Sequence, residues 1–168
     1  LRNATQEAVH LAILEGRDVI YIDRMESPAT LQLFRRVGYR MPAHATSSGK
    51  AILAFSPPHV VDAALAGGLK RLTPSTIGSR AAFNAELARI RARGYVASFG
   101  ESEIGVNSVG APIFDQDGQP VGAISVAGPS VRLARHRVPQ IARLIKQAAA
   151  EISRNMGYSP ADASGAAR

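Results

Sequence analysis

A chain of 168 residues, 46% hydrophobic and 20% charged, is long enough for one compact domain with a substantial core and too short for two comfortable ones. Its zero cysteines exclude a disulfide framework, a thiolate nucleophile and every zinc site that needs sulfur, which suits a reducing cytoplasm. The 20 basic against 13 acidic residues give +7 and raise nucleic acid as a partner, but 5% aromatics without Trp leave few stacking platforms for single strands. The basic residues are scattered, apart from Arg89, Arg91 and Arg93 in one stretch and Arg132, Arg135, Arg137, Arg143 and Lys146 in another. No apolar run reaches the roughly 18 residues of a membrane span, and the start at Leu1 has no signal-type core and no initiator methionine. The expectation is a soluble piece of a longer chain, away from the membrane.

Near the N-terminus Val9, Leu11 and Ile13 alternate with His10, Ala12 and Leu14, and Glu15-Gly16-Arg17 leads into Val19-Ile20-Tyr21-Ile22. This pattern predicts a strand, a tight turn and a second strand. After Ser27-Pro28 a short piece holding Leu31, Leu33 and Phe34 runs to Arg36 and ends near Gly38. The stretch from Met41 to Phe55 begins irregular and finishes as an apolar helix, with Thr46 or Ser47 placed to cap it. Pro57-Pro58 restarts the chain, and Val60, Val61, Ala64 and Leu65 form a helical stripe that Gly67-Gly68 ends. Ser79 caps a further helix bearing Phe83, Leu87 and Ile90, with Gly94 as its stop. Tyr95 to Phe99, Val106 to Phe114 and Pro120 to Val126 read as strands, and Pro139 opens a long helix with Val138, Ile141, Ile145, Ala148 and Ile152 on one face. Residues 1–158 form the predicted domain; the small, polar residues 159–168 form a predicted disordered tail. Hairpins next to one another, rather than single strands alternating with helices, predict a mainly antiparallel sheet with helices packed on it.

Catalytic motifs are absent on close reading. Gly49-Lys50 invites a phosphate loop, but His44 stands where that loop needs Gly and Ala51 where it needs Ser or Thr. Gly100, Ser102 and Gly105 miss the nucleophile elbow because Glu103 and Ile104 intervene. None of His10, His44, His59 and His136 has a second histidine at helical spacing, so neither a metal nor a cofactor is expected.

The hairpin around Asp115 to Gly118 is more informative. A four-residue loop there puts Phe114 opposite Gln119, Ala111 opposite Gly122, Gly110 opposite Ala123, Val109 opposite Ile124 and Ser108 opposite Ser125. One face then carries Val109, Ile113, Ile124 and Val126 and reads as core. The other carries only small residues, Ser108, Gly110, Ala123, Ser125 and Ala127. Such a face either receives a closely packed helix or floors a ligand cavity with hydroxyls to orient a polar guest. A helix N-terminus at Thr46, Ser47, Ser48 and Gly49 offers free N–H groups and a positive dipole end, which serve for ordinary capping or for holding a carboxylate.

These residues carry a family resemblance. The opening hairpin ending in Val19-Ile20-Tyr21-Ile22-Asp23-Arg24, the step Val37-Gly38-Tyr39 and the run from Pro42 to Ala51 resemble the C-terminal effector-binding domain of IclR-type bacterial transcription regulators. Gly94-Tyr95, Ile104-Gly105-Val106 and Ala123-Ile124-Ser125-Val126-Ala127-Gly128-Pro129 extend the match, which spans Thr5 to about Tyr158. The resemblance implies an α/β chain of the α+β kind: a GAF-like antiparallel sheet with helices on both faces, and a small-molecule pocket over the sheet. It further implies a homodimer or tetramer that reads DNA through an N-terminal winged helix-turn-helix absent from these residues. Members that bind small oxo acids place polar side chains at the positions of Ser98, Ser108, Ser125 and Ala127 and surround the ligand with the Thr46 to Gly49 turn. Here Ser98 stands for an Asp, Ser108 for a Cys and Ala127 for a second Ser, so the expected pocket is less polar. The expected ligand is a small organic acid, aromatic acids included. The competing reading is a stand-alone GAF-like metabolite-binding module or enzyme, which a helix-turn-helix pattern upstream of Leu1 would exclude.

Overall fold

In the computed structural model, residues 1–30 and 36–159 are described. The piece around Leu31, Leu33 and Phe34, and all of the expected tail beyond Ser159, lie outside the described residues. A short helix α1 (Arg2–Thr5) precedes the strands β1 (Ala8–Glu15) and β2 (Asp18–Met25), which pair antiparallel as the alternation predicts. A three-residue strand β3 (Arg40–Pro42) and a 3-10 turn (Ala43–Ala45) occupy the stretch read as irregular. They lead into α2 (Ser47–Phe55), α3 (Pro58–Leu65) and α4 (Arg80–Arg93). The strands β4 (Val96–Phe99), β5 (Val106–Phe114) and β6 (Pro120–Pro129) follow, and α5 (Val138–Asn155) closes the fold.

All six strands join one antiparallel sheet in the order β3-β2-β1-β6-β5-β4, with helices on both faces. Val9, Val109, Ile113, Ile124 and Val126 pack with Leu133, Ile141 and Ile145 beneath α5. On the opposite face Ala12, Val19, Tyr21 and Ala123 pack with Ile52 and Leu53 of α2 and with Phe83, Leu87 and Ile90 of α4. The stops are those foreseen: Ser79 Oγ accepts from Ala82 N–H at the start of α4, and Gly94 ends that helix at φ 75°, where a side chain would be strained.

The β5–β6 register corrects the expectation. The loop is three residues, closed by the Asp115 N–H to Gln119 carbonyl bond (3.0 Å), so Phe114 faces Pro120 and not Gln119. Val121 then bulges out, and Ile113 meets Gly122. Asp115 fixes this three-residue loop, because its carboxylate accepts from both Asp117 N–H (3.0 Å) and Gln119 N–H (2.9 Å). Each step shifts pairing by one residue; together they shift it by two, which leaves every side chain on its predicted face. The facing pair of hydroxyls is lost, however: Ser125 lies opposite Gly110, and Ser108 lies opposite Ala127.

Part of the basic excess is structural rather than solvated surface. Glu7, 1% exposed, accepts two hydrogen bonds from Arg132 (2.8 and 2.9 Å), and Arg137 donates to the carbonyls of Thr5 and Arg132. The hydrogen bonds to Glu7 hold the Arg132 guanidinium above its ordinary pKa against a smaller opposing effect of burial. Gly128 makes room for this clamp, since a Cβ there would stand 2.5 Å from Glu7 Oε2. Arg132→Ala strands a buried carboxylate and should lower stability by about 2–3 kcal/mol in urea unfolding, discounted because Arg132 is itself partly exposed. Arg40→Ala, which removes only exposed pairs with Glu15 and Asp18, should leave the midpoint in place.

Candidate functional site

The small-residue face of β5 and β6 is covered by the N-terminal half of α2. Thr46 caps that helix, its Oγ1 accepting from Gly49 N–H at 3.0 Å. Ser48 Oγ donates to Ser125 Oγ at 3.0 Å, a buried bond that pins the helix to β6. The approach is as close as backbone permits. A Cβ on Gly110 would sit 3.0 Å from the carbonyl carbon and oxygen of Ser47, and a Cβ on Gly49 would overlap the Ala43 carbonyl. Close helix packing, one of the two uses foreseen for this face, is therefore real.

It leaves a small cavity of about 10 Å³ beside the helix N-terminus, walled by Thr46, Ser47, Ser108, Ser125 and Ala127. That volume admits about one water molecule. His10, Tyr21, Ser102 and Val106 complete the wall and were not singled out from the sequence. The signal for His10 was available only through pairing, since β1 lies beside β6 and places His10 opposite Ser125. Tyr21 stands next to it, the two rings 5.2 Å apart and inclined by 56°. At the head of α2 the Ser47 and Ser48 N–H groups are the first two of the helix and have no intrahelical acceptor.

Three of the predicted site residues do not line the cavity. Ser48 serves the link to Ser125, and Gly49 serves the approach to Ala43. Ser98 sits opposite Ser108 in the sheet, but its hydroxyl donates to Glu101 Oε1 at 2.9 Å. That same oxygen takes the buried Lys50 ammonium at 2.5 Å, and Thr73 and Thr76 hydroxyls donate to the Gly100 and Glu101 carbonyls at 2.7 Å each. The Lys50–Glu101 pair thus anchors the loop that carries Ser102. Lys50 is followed by the apolar run Ala51-Ile52-Leu53-Ala54, and a lysine in such a helix is the signal that could have pointed to a buried carboxylate partner. Among the described residues no group of three His, Cys, Asp or Glu side chains is placed to hold a metal, and no helix is long and apolar enough to cross a membrane.

The family model for the bacterial transcriptional regulator IclR C-terminal domain matches residues 1–154. The chain belongs to the IclR family. The HTH-type transcriptional regulator XynR of Escherichia coli is 31% identical over 159 residues, covering 94% of this chain and 63% of XynR. The crystal structure of Thermotoga maritima IclR superposes with a TM-score of 0.87 at 37% identity, covering 93% of this chain and 64% of that one. The inducer-binding domain of an Acinetobacter PobR double mutant, in complex with 3-hydroxybenzoic acid, gives a TM-score of 0.82 at 26% identity, covering 90% of each chain. The chain therefore spans less than two thirds of XynR and of IclR and nearly all of the PobR domain. Its relatives are transcriptional regulators rather than enzymes, and its six-stranded antiparallel α+β fold is that of the IclR C-terminal domain.

Gly49→Ala should test the packing half of this account. With backbone as the obstacle, the substitution should destabilise by about 1–3 kcal/mol or more in calorimetric or denaturant unfolding, the range for overpacking a filled site.

Proposed function

We propose that residues 1–158 are the effector-binding unit of a transcription regulator, and that its effector is a small organic acid held between the N-terminus of α2 and the small-residue face of β5 and β6. The observation that carries this reading is the cavity that gathers Thr46, Ser47, Ser108, Ser125 and Ala127 at one helix N-terminus. The uncommitted N–H groups of Ser47 and Ser48 and the dipole of α2 suit a carboxylate. The Ser108 and Ser125 hydroxyls and the His10–Tyr21 pair suit a polar or aromatic body. The 3-hydroxybenzoate bound by the PobR domain is a ligand of that chemical class on a similar fold.

At about 10 Å³ the cavity must open to admit such a ligand, and Ser102 to Ile104, between the anchored Glu101 and Gly105 at φ 81°, are suited to move. Glu103 and Ile104 are exposed. The closed and open forms then differ in affinity for the acid, and the ligand shifts their populations. In the whole regulator this shift acts on a homodimer or tetramer whose DNA-reading helix-turn-helix segments lie outside these residues.

A thermal-shift screen of small organic acids, hydroxybenzoates included, should find a stabilising ligand, because occupancy at about 100 times Kd contributes about 2.7 kcal/mol. Ser125→Leu, which overfills the cavity and removes the Ser48 bond, should lower stability by about 1–3 kcal/mol and weaken that ligand at least tenfold in calorimetry of the folded variant, and the methyl ester should bind at least tenfold more weakly than the acid. Unchanged affinity in both comparisons would place the ligand elsewhere.

DNA supplies an independent check. This chain alone should bind duplex DNA weakly, without sequence preference, and should release it steeply with salt, since only counterion release drives the contact. Sequence-selective binding at physiological salt, measured by fluorescence anisotropy against a scrambled duplex, would overturn the assignment of DNA reading to another segment.

A further inference from the structure

A second cleft opens at the other end of α2, where the sheet has an uncovered edge. β4 begins at Val96, opposite Gly110, so among the described residues Ala111 to Phe114 of β5 have no strand on that side. The edge is closed to strand addition. Pro112 has no N–H to give, and the Phe114 N–H already donates to Ser153 Oγ of α5 at 2.9 Å. What remains is a cleft of about 370 Å³ between α2 and α5, within the range of small-molecule sites.

Its walls are aromatic and aliphatic. Phe55 meets Phe114 edge-on at 5.2 Å, Phe114 stacks with Tyr158 at 5.1 Å, and Ala149 and Ala150 form the α5 side. Two cations stand over it, Arg91 and Lys146. On α4, Glu86 pairs with Arg89 (2.9 Å) and with Arg93 (2.8 Å) but not with Arg91, which donates one N–H to the Ala54 carbonyl at 2.9 Å. The Lys146 ammonium lies 6.0 Å from the centre of the Tyr95 ring. Among the described residues neither Arg91 nor Lys146 has a carboxylate partner.

We propose that this cleft is a second ligand site, which takes an amphipathic carboxylate with its apolar body against Phe55, Phe114 and Tyr158 and its carboxylate between Arg91 and Lys146. Each half of the chemistry excludes a simpler guest. A purely polar anion leaves the aromatic walls unused, and a neutral hydrophobe makes no use of the exposed Arg91 and Lys146, whose charge-assisted hydrogen bonds a carboxylate would gain. The site is separate from the cavity at the head of α2, since the nine residues of the helix put about 12 Å between its ends.

Octanoate is the test ligand, titrated into the 168-residue chain by calorimetry, with octanol as its neutral counterpart. Octanoate should bind saturably and at least tenfold more tightly than octanol. Ala150→Phe, at an exposed position of the cleft, should weaken octanoate at least tenfold, and Lys146→Gln should weaken octanoate while leaving octanol unchanged. Ser125→Leu should alter neither, which separates failure here from failure at the first cavity. Four results would overturn the proposal: no saturable binding; loss of binding in Ser125→Leu but not in Ala150→Phe; binding that appears only after truncation beyond Tyr158, which makes the chain's own tail the occupant; or an oligomer that Ala150→Phe dissociates with no octanoate bound, which makes the cleft an interface between copies.

Discussion

The contact on which the rest of the structure depends is the seating of α2 on the β5–β6 ladder. Helix and sheet come together at backbone distance because Gly110 presents no side chain and Gly49 lets the helix start lie against the 3-10 turn. At that distance a buried polar side chain left unpaired costs about 1–3 kcal/mol, so most of those at the interface are paired, Glu101 Oε2 being an exception. Thr46 takes the Gly49 N–H, Ser48 reaches Ser125, and Lys50, fully buried one turn along, is directed to Glu101. The Glu101 loop is in turn fixed by Thr73 and Thr76, so residues up to 77 positions apart hold one arrangement. The candidate cavity is what this arrangement leaves unfilled.

The two faces of the sheet use different chemistry. Under α5 the contact is aliphatic, and its one structural hydroxyl, Ser153, accepts the Phe114 N–H at the sheet edge. Under the N-terminal half of α2 the contact is made of small and hydroxylated residues, with less apolar area per residue to exclude water than the apolar core farther along the helix. The end of α2 beside the cavity is thus held mainly by hydrogen bonds and one ion pair, whereas the rest of that face and the face under α5 are held by packing. A site that must open is better placed on the former, because hydrogen bonds can be exchanged with water or a guest whereas lost packing cannot.

What the sequence reveals here is governed by range. Signals confined to a few residues read correctly: Ser79 and Gly94 bound α4, Thr46 caps α2, and alternation locates β1, β2 and β5. The sheet faces were also legible, because period-two alternation survived an error of two in the β5–β6 register. The register itself was not, since Asp115 selects the three-residue loop through side-chain bonds that the Asp-Gln-Asp-Gly string leaves open. β3 escaped because three residues carry no period. At the site the sequence named the helix turn and one floor, while His10, Tyr21 and Ser102 enter from strands and a loop far along the chain. Ser98 shows the converse: it lies opposite Ser108, as a floor residue would, yet Glu101 engages its hydroxyl.

On the proposed reading, the closure of the cavity sets the response of the domain. If only a fraction of molecules has the Ser102 turn open, the apparent affinity for the effector falls by that fraction, and any contact that favours the closed form tunes sensitivity without touching the ligand. The structure has such contacts in a continuous series. The Ser102 turn ends at Gly105, whose carbonyl accepts the Ser130 N–H at 2.7 Å. Ser130 opens the loop that carries Arg132 and Arg137, and these hold Glu7 and the Thr5 carbonyl at the end of α1. A displacement of the turn is therefore opposed directly by the clamp on the N-terminal helix, and by reciprocity a force applied to α1 biases the turn. The buried carboxylate of Glu7 makes that link stiff, because rotating it away from Arg132 would leave a charge in the interior unpaired.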